Sequence, residues 1–183
     1  MSGFDSIMMD GSMYSLEKNI SITKEVVDKA HSMGVCVEGE IGHVGLAKEA
    51  DNNKEDLYTK PEAARKFCEA TGVDALAISI GNAHGEYKSV PKLDIKRLEE
   101  IREMTDVPLV LHGGSGIPDD QLLLAFSKGI NKFNLGTEFL RRYYSAVEEY
   151  IHSNKSNLDP VKIIDLPNYV QSKLQPYLED RLR

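Results

Sequence analysis

Five short apolar runs, each followed by a stretch of helical periodicity, constrain the fold of this chain more than any other feature. They are Ser6–Ser12, Val35–Ile41, Ala75–Gly81, Val107–His112 and Ile130–Leu135. At this length they read as strands rather than buried helices. Helical patterns at 19–33, 59–71, 93–104, 119–128 and 137–153 separate or follow them. Gly34, Gly72 and Gly129 are the stops, and Thr59-Lys60-Pro61-Glu62 and Asp94 are the starts. Alternation at roughly 24 to 40 residues per unit is the βα pattern of a parallel sheet. Doubly wound sheets and (β/α)8 barrels both fit. No glycine fingerprint follows the first strand, and polar residues end several strands, which favours the barrel. A complete barrel takes about 250 residues and eight strands. The expected fold is therefore an incomplete (β/α)8 TIM barrel, one partial domain over residues 1–183, with a core to about 153 and a helical tail over about 154–183.

Two of the strands end alike. Leu109-Val110-Leu111 runs into His112-Gly113-Gly114-Ser115-Gly116, and Ala75–Ile80 runs into Gly81-Asn82-Ala83-His84-Gly85. Each delivers an imidazole to the carboxyl end of a buried parallel strand, where α/β proteins bind ligands. Such a histidine is either a ligand or a hydrogen-bonded loop residue. The glycines leave backbone N–H groups bare enough to wrap an anion, and Ser and Thr hydroxyls add donors. Gly113, Gly114 and Ser115, with Asn134, Gly136 and Thr137 at the next strand–helix junction, form a candidate phosphate cradle. Residues 42–58, rich in Gly, Asn and charge, read as a long functional loop.

Composition excludes several classes. A net charge of −7 argues against a nucleic-acid partner. The apolar runs are strand-sized, so no membrane partner is expected. No cationic, apolar leader opens the chain, and Cys36 and Cys68 lack CxxC spacing. Buried, reduced thiols and a cytoplasmic location are the expectation.

These residues resemble the class II, metal-dependent, fructose- and tagatose-bisphosphate aldolase family. The resemblance is carried by Ile7-Met8-Met9-Asp10-Gly11-Ser12, by Val37–Gly45, by Tyr58-Thr59 and by Gly81–Lys88. Leu111–Gly116 and Lys132–Glu138 complete it, in the family's order and spacing over almost the whole chain. Gly42-His43-Val44-Gly45 and Tyr58-Thr59-Lys60-Pro61 resemble the tagatose/ketose-bisphosphate branch. The resemblance implies Zn2+ as cofactor and reversible aldol cleavage of fructose or tagatose 1,6-bisphosphate to dihydroxyacetone phosphate and glyceraldehyde 3-phosphate. It implies His84 and His112 as zinc ligands, and Glu40 as a carboxylate near the metal, sometimes a ligand itself. A polar interior group paired with a neighbour is the other reading of Glu40. Gly85 and Lys88 would contact the substrate phosphate and Asn134 the ketose portion.

The match begins at the family's fourth strand. Its third strand ends in an Asp that transfers the proton and a His that completes the zinc site, and neither has a counterpart here. No catalytic base is therefore assigned within the chain. Two readings follow: an aldolase active only when a complementing N-terminal chain supplies the other strands, or a non-catalytic remnant that binds phosphorylated sugars or associates. The family implies a homo-oligomer. Fructose-cleaving members follow a Gly-Gly with acidic residues, one handling a proton, whereas Gly45 is followed by Leu46-Ala47-Lys48-Glu49. Glu49 and Glu55 are the substitutes available. A Schiff-base aldolase needs a desolvated strand lysine, and Lys132 is expected at the start of its strand, the wrong end. Asp10 is expected to be supporting or structural, His43 an ordinary loop residue, and His31 and His152 surface residues.

Overall fold

All five expected strands form, and they pair in the order in which they occur in the chain. In the computed structural model β1 (Ser6–Asp10), β2 (Cys36–Ile41), β3 (Ala75–Ile78), β4 (Leu109–Leu111) and β5 (Ile130–Phe133) make one parallel sheet, ordered β1-β2-β3-β4-β5. Residues 3–42, 57–85, 87, 89–154 and 160–181 are described. Parallel neighbours need crossovers, supplied by α1 (Leu16–His31), α2 (Pro61–Thr71), α3 (Ile95–Met104) and α4 (Asp119–Ser127). A doubly wound sheet reverses its strand order at the ligand crevice. This sheet never reverses, which is the order of an arc of a barrel.

Local signals set the helix ends. Ser15 accepts a hydrogen bond from the Lys18 N–H and Asp94 from the Arg97 N–H, capping α1 and α3. Pro61 is the first residue of α2, and Gly72 ends it at φ +74°.

Alternation along each strand separates two faces. Val37, Ile41, Leu76, Ile78, Leu109 and Leu111 join the core that the helices cover, with Val27, Phe67, Leu98 and Ile101. By the same alternation and the pairing register, the other face carries Met8, Asp10, Glu38, Glu40, Ala77 and Val110. Gly39 separates the two glutamates because Phe67 packs there: a Cβ at Gly39 would lie 2.7 Å from the Phe67 ring.

The β4–β5 pairing is irregular. Leu109 pairs with Ile130 but Val110 pairs with Lys132, so Asn131 is an extra residue, a β-bulge. The Asn131 side chain accepts the Leu109 N–H at 3.0 Å. Lys132 is the third of the four residues of β5 rather than at its start, and the bulge sets it in register with Val110 on the face that bears Glu38 and Glu40. The expectation for the cysteines also needs correcting. Both are free thiols, but Cys36, at the amino end of β2 beside the edge strand, is exposed. Cys68 is buried, and burial pushes its thiol pKa up. Among the described residues β1 has a strand partner on one side only, and its Ile7 and Met8 are 37% and 43% exposed.

The chain divides into two compact units, Met1–Leu135 and Gly136–Arg183. The second contains α5 (Thr137–Ser153), a short 3-10 helix (Pro160–Asp165) and α6 (Leu166–Arg181). Ala146, Val170 and Leu174 form its small core. The Arg142 guanidinium lies 4.1 Å from the Tyr177 ring centroid, and Lys173 pairs with Glu149 at 2.9 Å. No helix among the described residues is long and apolar enough to cross a membrane.

Candidate metal and phosphate site

The carboxyl ends of β2, β3 and β4 are tied together by side chains before any ligand is considered. The buried Thr59 hydroxyl donates to the Ile41 carbonyl at 2.8 Å and accepts the Ser79 N–H at 2.9 Å, joining the ends of β2 and β3. Thr59 therefore lies just before α2, whose N-cap is Lys60. Asn82 accepts the Ile80 N–H, and its amide donates to the Ile78 and His112 carbonyls, joining the end of β3 to that of β4. The Tyr87 hydroxyl accepts the Ala83 N–H at 2.7 Å and donates to the Gly113 carbonyl at 3.0 Å. Buried backbone groups need partners, and here the partners also fix the loops that carry both histidines.

His84 and His112 come together as expected, with ring centroids 5.8 Å apart and planes inclined at 47°. Around His112 the two nitrogens meet different carboxylates. Nε2 is 2.8 Å from Glu38 Oε1, and Nδ1 is 3.2 Å from Glu40 Oε2. The second contact is an ion pair without hydrogen-bond alignment: Glu40 Oε2 is buried and has no hydrogen-bond partner among the described residues. The other Glu38 oxygen is 2.6 Å from Lys132 Nζ. Burial alone would lower the His112 pKa, but the Glu38 hydrogen bond and the nearby Glu38 and Glu40 charges outweigh it and push the value up to about 9. Burial likewise pushes the Glu38 carboxyl up, and His112 and Lys132 together hold it below its usual range.

Two imidazoles beside a buried carboxylate are the donor types of an open zinc site. The Glu40 oxygen, ion-paired but not hydrogen-bonded, is an acceptor that a cation would satisfy. The set is partial: among the described residues no group of three His, Cys, Asp or Glu side chains is arranged to hold a metal ion.

The glycine-rich turn follows directly. Gly113 has φ +67°, and a Cβ there would lie 2.1 Å from the Ala83 carbonyl oxygen, so only glycine fits. The Gly114 N–H donates to the Asn134 carbonyl and the Asn134 N–H to the Leu111 carbonyl, so the segments after β4 and β5 lie side by side. Ser115, the next residue after Gly114, is buried, and Gly85, at φ +90°, has open space where its Cβ would be. Gly136 and Thr137 open the second unit, with Thr137 the first residue of α5 and the Gly136 carbonyl accepting the Leu140 N–H. Lys88, His43, Glu49 and Glu55 lie outside the described residues. Asp10 accepts the Ser12 N–H at 3.0 Å, a turn contact. His31 pairs with Asp74 at the surface, and His152 is exposed on α5.

From the sequence alone Glu38, Asn82 and Tyr87 do not stand out as site residues, nor does Lys132. Glu38 carried a signal: with Glu40 it puts two carboxylates on one face of a strand, where unpaired acids are rarely buried. Lys132 is not a Schiff-base candidate, because its ammonium is ion-paired and half exposed.

The family model for class II fructose-bisphosphate aldolase matches residues 1–182. A fructose-bisphosphate aldolase of Geobacillus stearothermophilus is 41% identical over 163 residues, 89% of this chain and 57% of that protein. Among solved structures, the YdjI aldolase of Escherichia coli superposes with a TM-score of 0.78 at 36% identity, covering 97% of this chain and 61% of that one. Fructose-bisphosphate aldolase of Campylobacter jejuni gives 0.74 at 27% identity, covering 94% and 58%. The chain thus spans from 57% to 61% of the length of these relatives. With the whole of its sheet, both histidine-bearing strand ends and the glycine-rich turn inside the matched region, the chain belongs to the class II fructose-bisphosphate aldolase family.

Proposed function

We propose that this chain carries part of the active site of a zinc-dependent ketose-bisphosphate aldolase. The reaction is the reversible cleavage of fructose or tagatose 1,6-bisphosphate to dihydroxyacetone phosphate and glyceraldehyde 3-phosphate. One observation carries the reading: the buried Glu40 oxygen, ion-paired with His112 but without a hydrogen bond among the described residues, lies with the His84 ring adjacent to that imidazole. His84, His112 and Glu40 would hold the zinc, which when bound supplies a Lewis acid that polarises the ketose carbonyl. Asn82 and Tyr87 hold the two histidine-bearing loops in place. Gly113 and Ser115, with Gly85 and Lys88, bind phosphate, and Asn134 the ketose portion. Gly114 serves this cradle by fixing Asn134, since its N–H already has that partner.

The five strands are read as strands four to eight of the barrel. The family's proton-transferring Asp and third His are then supplied by a segment bearing the other three strands, and this chain alone does not turn over. The test is zinc content together with a coupled cleavage assay on fructose and tagatose bisphosphates, run on the chain and again after adding a fragment with those strands. Zinc uptake, with turnover appearing only on addition, is expected. No zinc and no turnover in either case would overturn the proposal.

The exposed apolar edge of β1 favours a second reading, a non-catalytic remnant that binds phosphorylated sugars or pairs with a complementing chain. Sugar bisphosphate binding with no turnover in any combination would select it.

A further inference from the structure

We propose that Lys132 is a positioning residue of the metal site. Acting through Glu38, it keeps the His112 imidazole oriented with Nε2–H on the carboxylate and Nδ1 directed to the cation. The inference rests on the zinc reading above. A continuous chain of contacts carries it: Lys132 Nζ to Glu38 Oε2 at 2.6 Å, then Glu38 Oε1 to His112 Nε2 at 2.8 Å. Each carboxylate oxygen has one duty, so Glu38 cannot rotate without breaking a contact. Glu38 and His112 are both buried, and among the described residues Lys132 is the other ion-pair partner of Glu38 besides His112.

The two nitrogens of a histidine are assigned by the bond the second one makes. Here Nε2 is claimed by Glu38, and Nδ1 faces the Glu40 oxygen that lacks a hydrogen bond. The β-bulge is what brings the lysine into play. With Ile130 opposite Leu109, a regular strand would set Asn131 opposite Val110 and turn Lys132 towards the helices. The extra residue re-aims the lysine, a recurrent use of bulges beside functional sites. A fold-stabilising ion pair needs no such device.

The experiment compares zinc affinity, by competition with a chromogenic chelator, for the wild type, Lys132→Met, Lys132→Arg and Glu38→Gln. Imidazole 1H–15N spectra of each protein without metal accompany it. Lys132→Met should bind zinc about ten- to a hundredfold more weakly, Lys132→Arg should recover most of the affinity, and Glu38→Gln should match Lys132→Met. The His112 Nε2 resonance should move in Lys132→Met and return in Lys132→Arg. Equal zinc affinity in Lys132→Met and wild type overturns the proposal and leaves the zinc reading standing. If the wild type takes up no zinc, the zinc reading fails separately. An Nε2 resonance unmoved by Lys132→Met then overturns the positioning role as well. Should Lys132→Met not fold, Glu38→Gln against wild type decides by the same two measurements.

Discussion

Two glycines with nearly the same positive φ give a controlled test of how the site is built. Gly72 and Gly113 sit in the left-handed region at φ +74° and +67°. Around Gly72 a Cβ would meet nothing within 4 Å, whereas at Gly113 it would lie 2.1 Å from the Ala83 oxygen and 2.7 Å from its carbonyl carbon. Alanine in this conformation costs about 1–2 kcal/mol at either position. Gly113→Ala adds a steric term. The obstructing atoms are backbone, and Ala83 is held by the Tyr87 hydroxyl next to the Asn82 anchor. Overpacking of this kind costs a further ~1–3 kcal/mol. Gly72→Ala should therefore lose about 1–2 kcal/mol and Gly113→Ala about 2–5 kcal/mol. Urea unfolding measures both, with the slope m checked for constancy. Because Ala83 precedes His84, Gly113→Ala should also weaken zinc uptake while Gly72→Ala leaves it alone. If the two variants unfold within about 0.5 kcal/mol of each other at equal m, the close approach of the two loops is not what demands glycine, and the reasoning is refuted.

Thr59→Val keeps the volume and removes both hydrogen bonds between the ends of β2 and β3. At about 1–3 kcal/mol per buried partner lost, a loss of about 2–6 kcal/mol in urea unfolding is expected, and a loss under about 0.5 kcal/mol would show that the two strand ends do not depend on it. Asp74 gives a pH signature: burial pushes its carboxyl up, but the His31 and Val37 hydrogen bonds pull it down by more, so its net pKa is lowered. A lowered folded-state pKa contributes stability that is present above the unfolded value of about 3.9 and is lost as pH falls through the folded value. Thermal melts from pH 6 down to about 2 should accordingly fall less steeply for Asp74→Asn than for wild type, and parallel curves would count against the assignment.

Much of the architecture was legible because period and punctuation agree. The apolar runs, the helix stop at Gly72 and the Asp94 cap all led to the elements observed, while α1 ends at His31 with Ser32 as its cap, short of Gly34. His84 and His112 were legible as strand-end residues for the same reason, whereas Glu40 was legible only through the family resemblance. The network around them was not. The position of Lys132 depends on one extra residue in the β4–β5 register, and neither strand announces a bulge when read alone. Asn82 and Tyr87 look like ordinary polar loop residues until a second loop, 30 and 26 positions away, supplies the carbonyls they bind. Cys36 has the right neighbours for burial, but its strand begins there, beside an edge.

The monotonic strand order has a consequence for how the first unit comes apart. Its substantial contacts join consecutive elements: each strand to the next, and each helix to the next. Such a linear array loses structure from its ends, as repeat proteins do, with the interior units the last to exchange their amides. Among the described residues Glu38, Glu40, His84 and His112 lie on or directly after interior strands, whereas Lys132 rides on β5, at one end of the strand order. A local opening of β5 alone would release Glu38 from its lysine while β2, β3 and β4 stay paired. The geometry at His112 is thereby coupled to the breathing of a four-residue strand at the edge of the sheet.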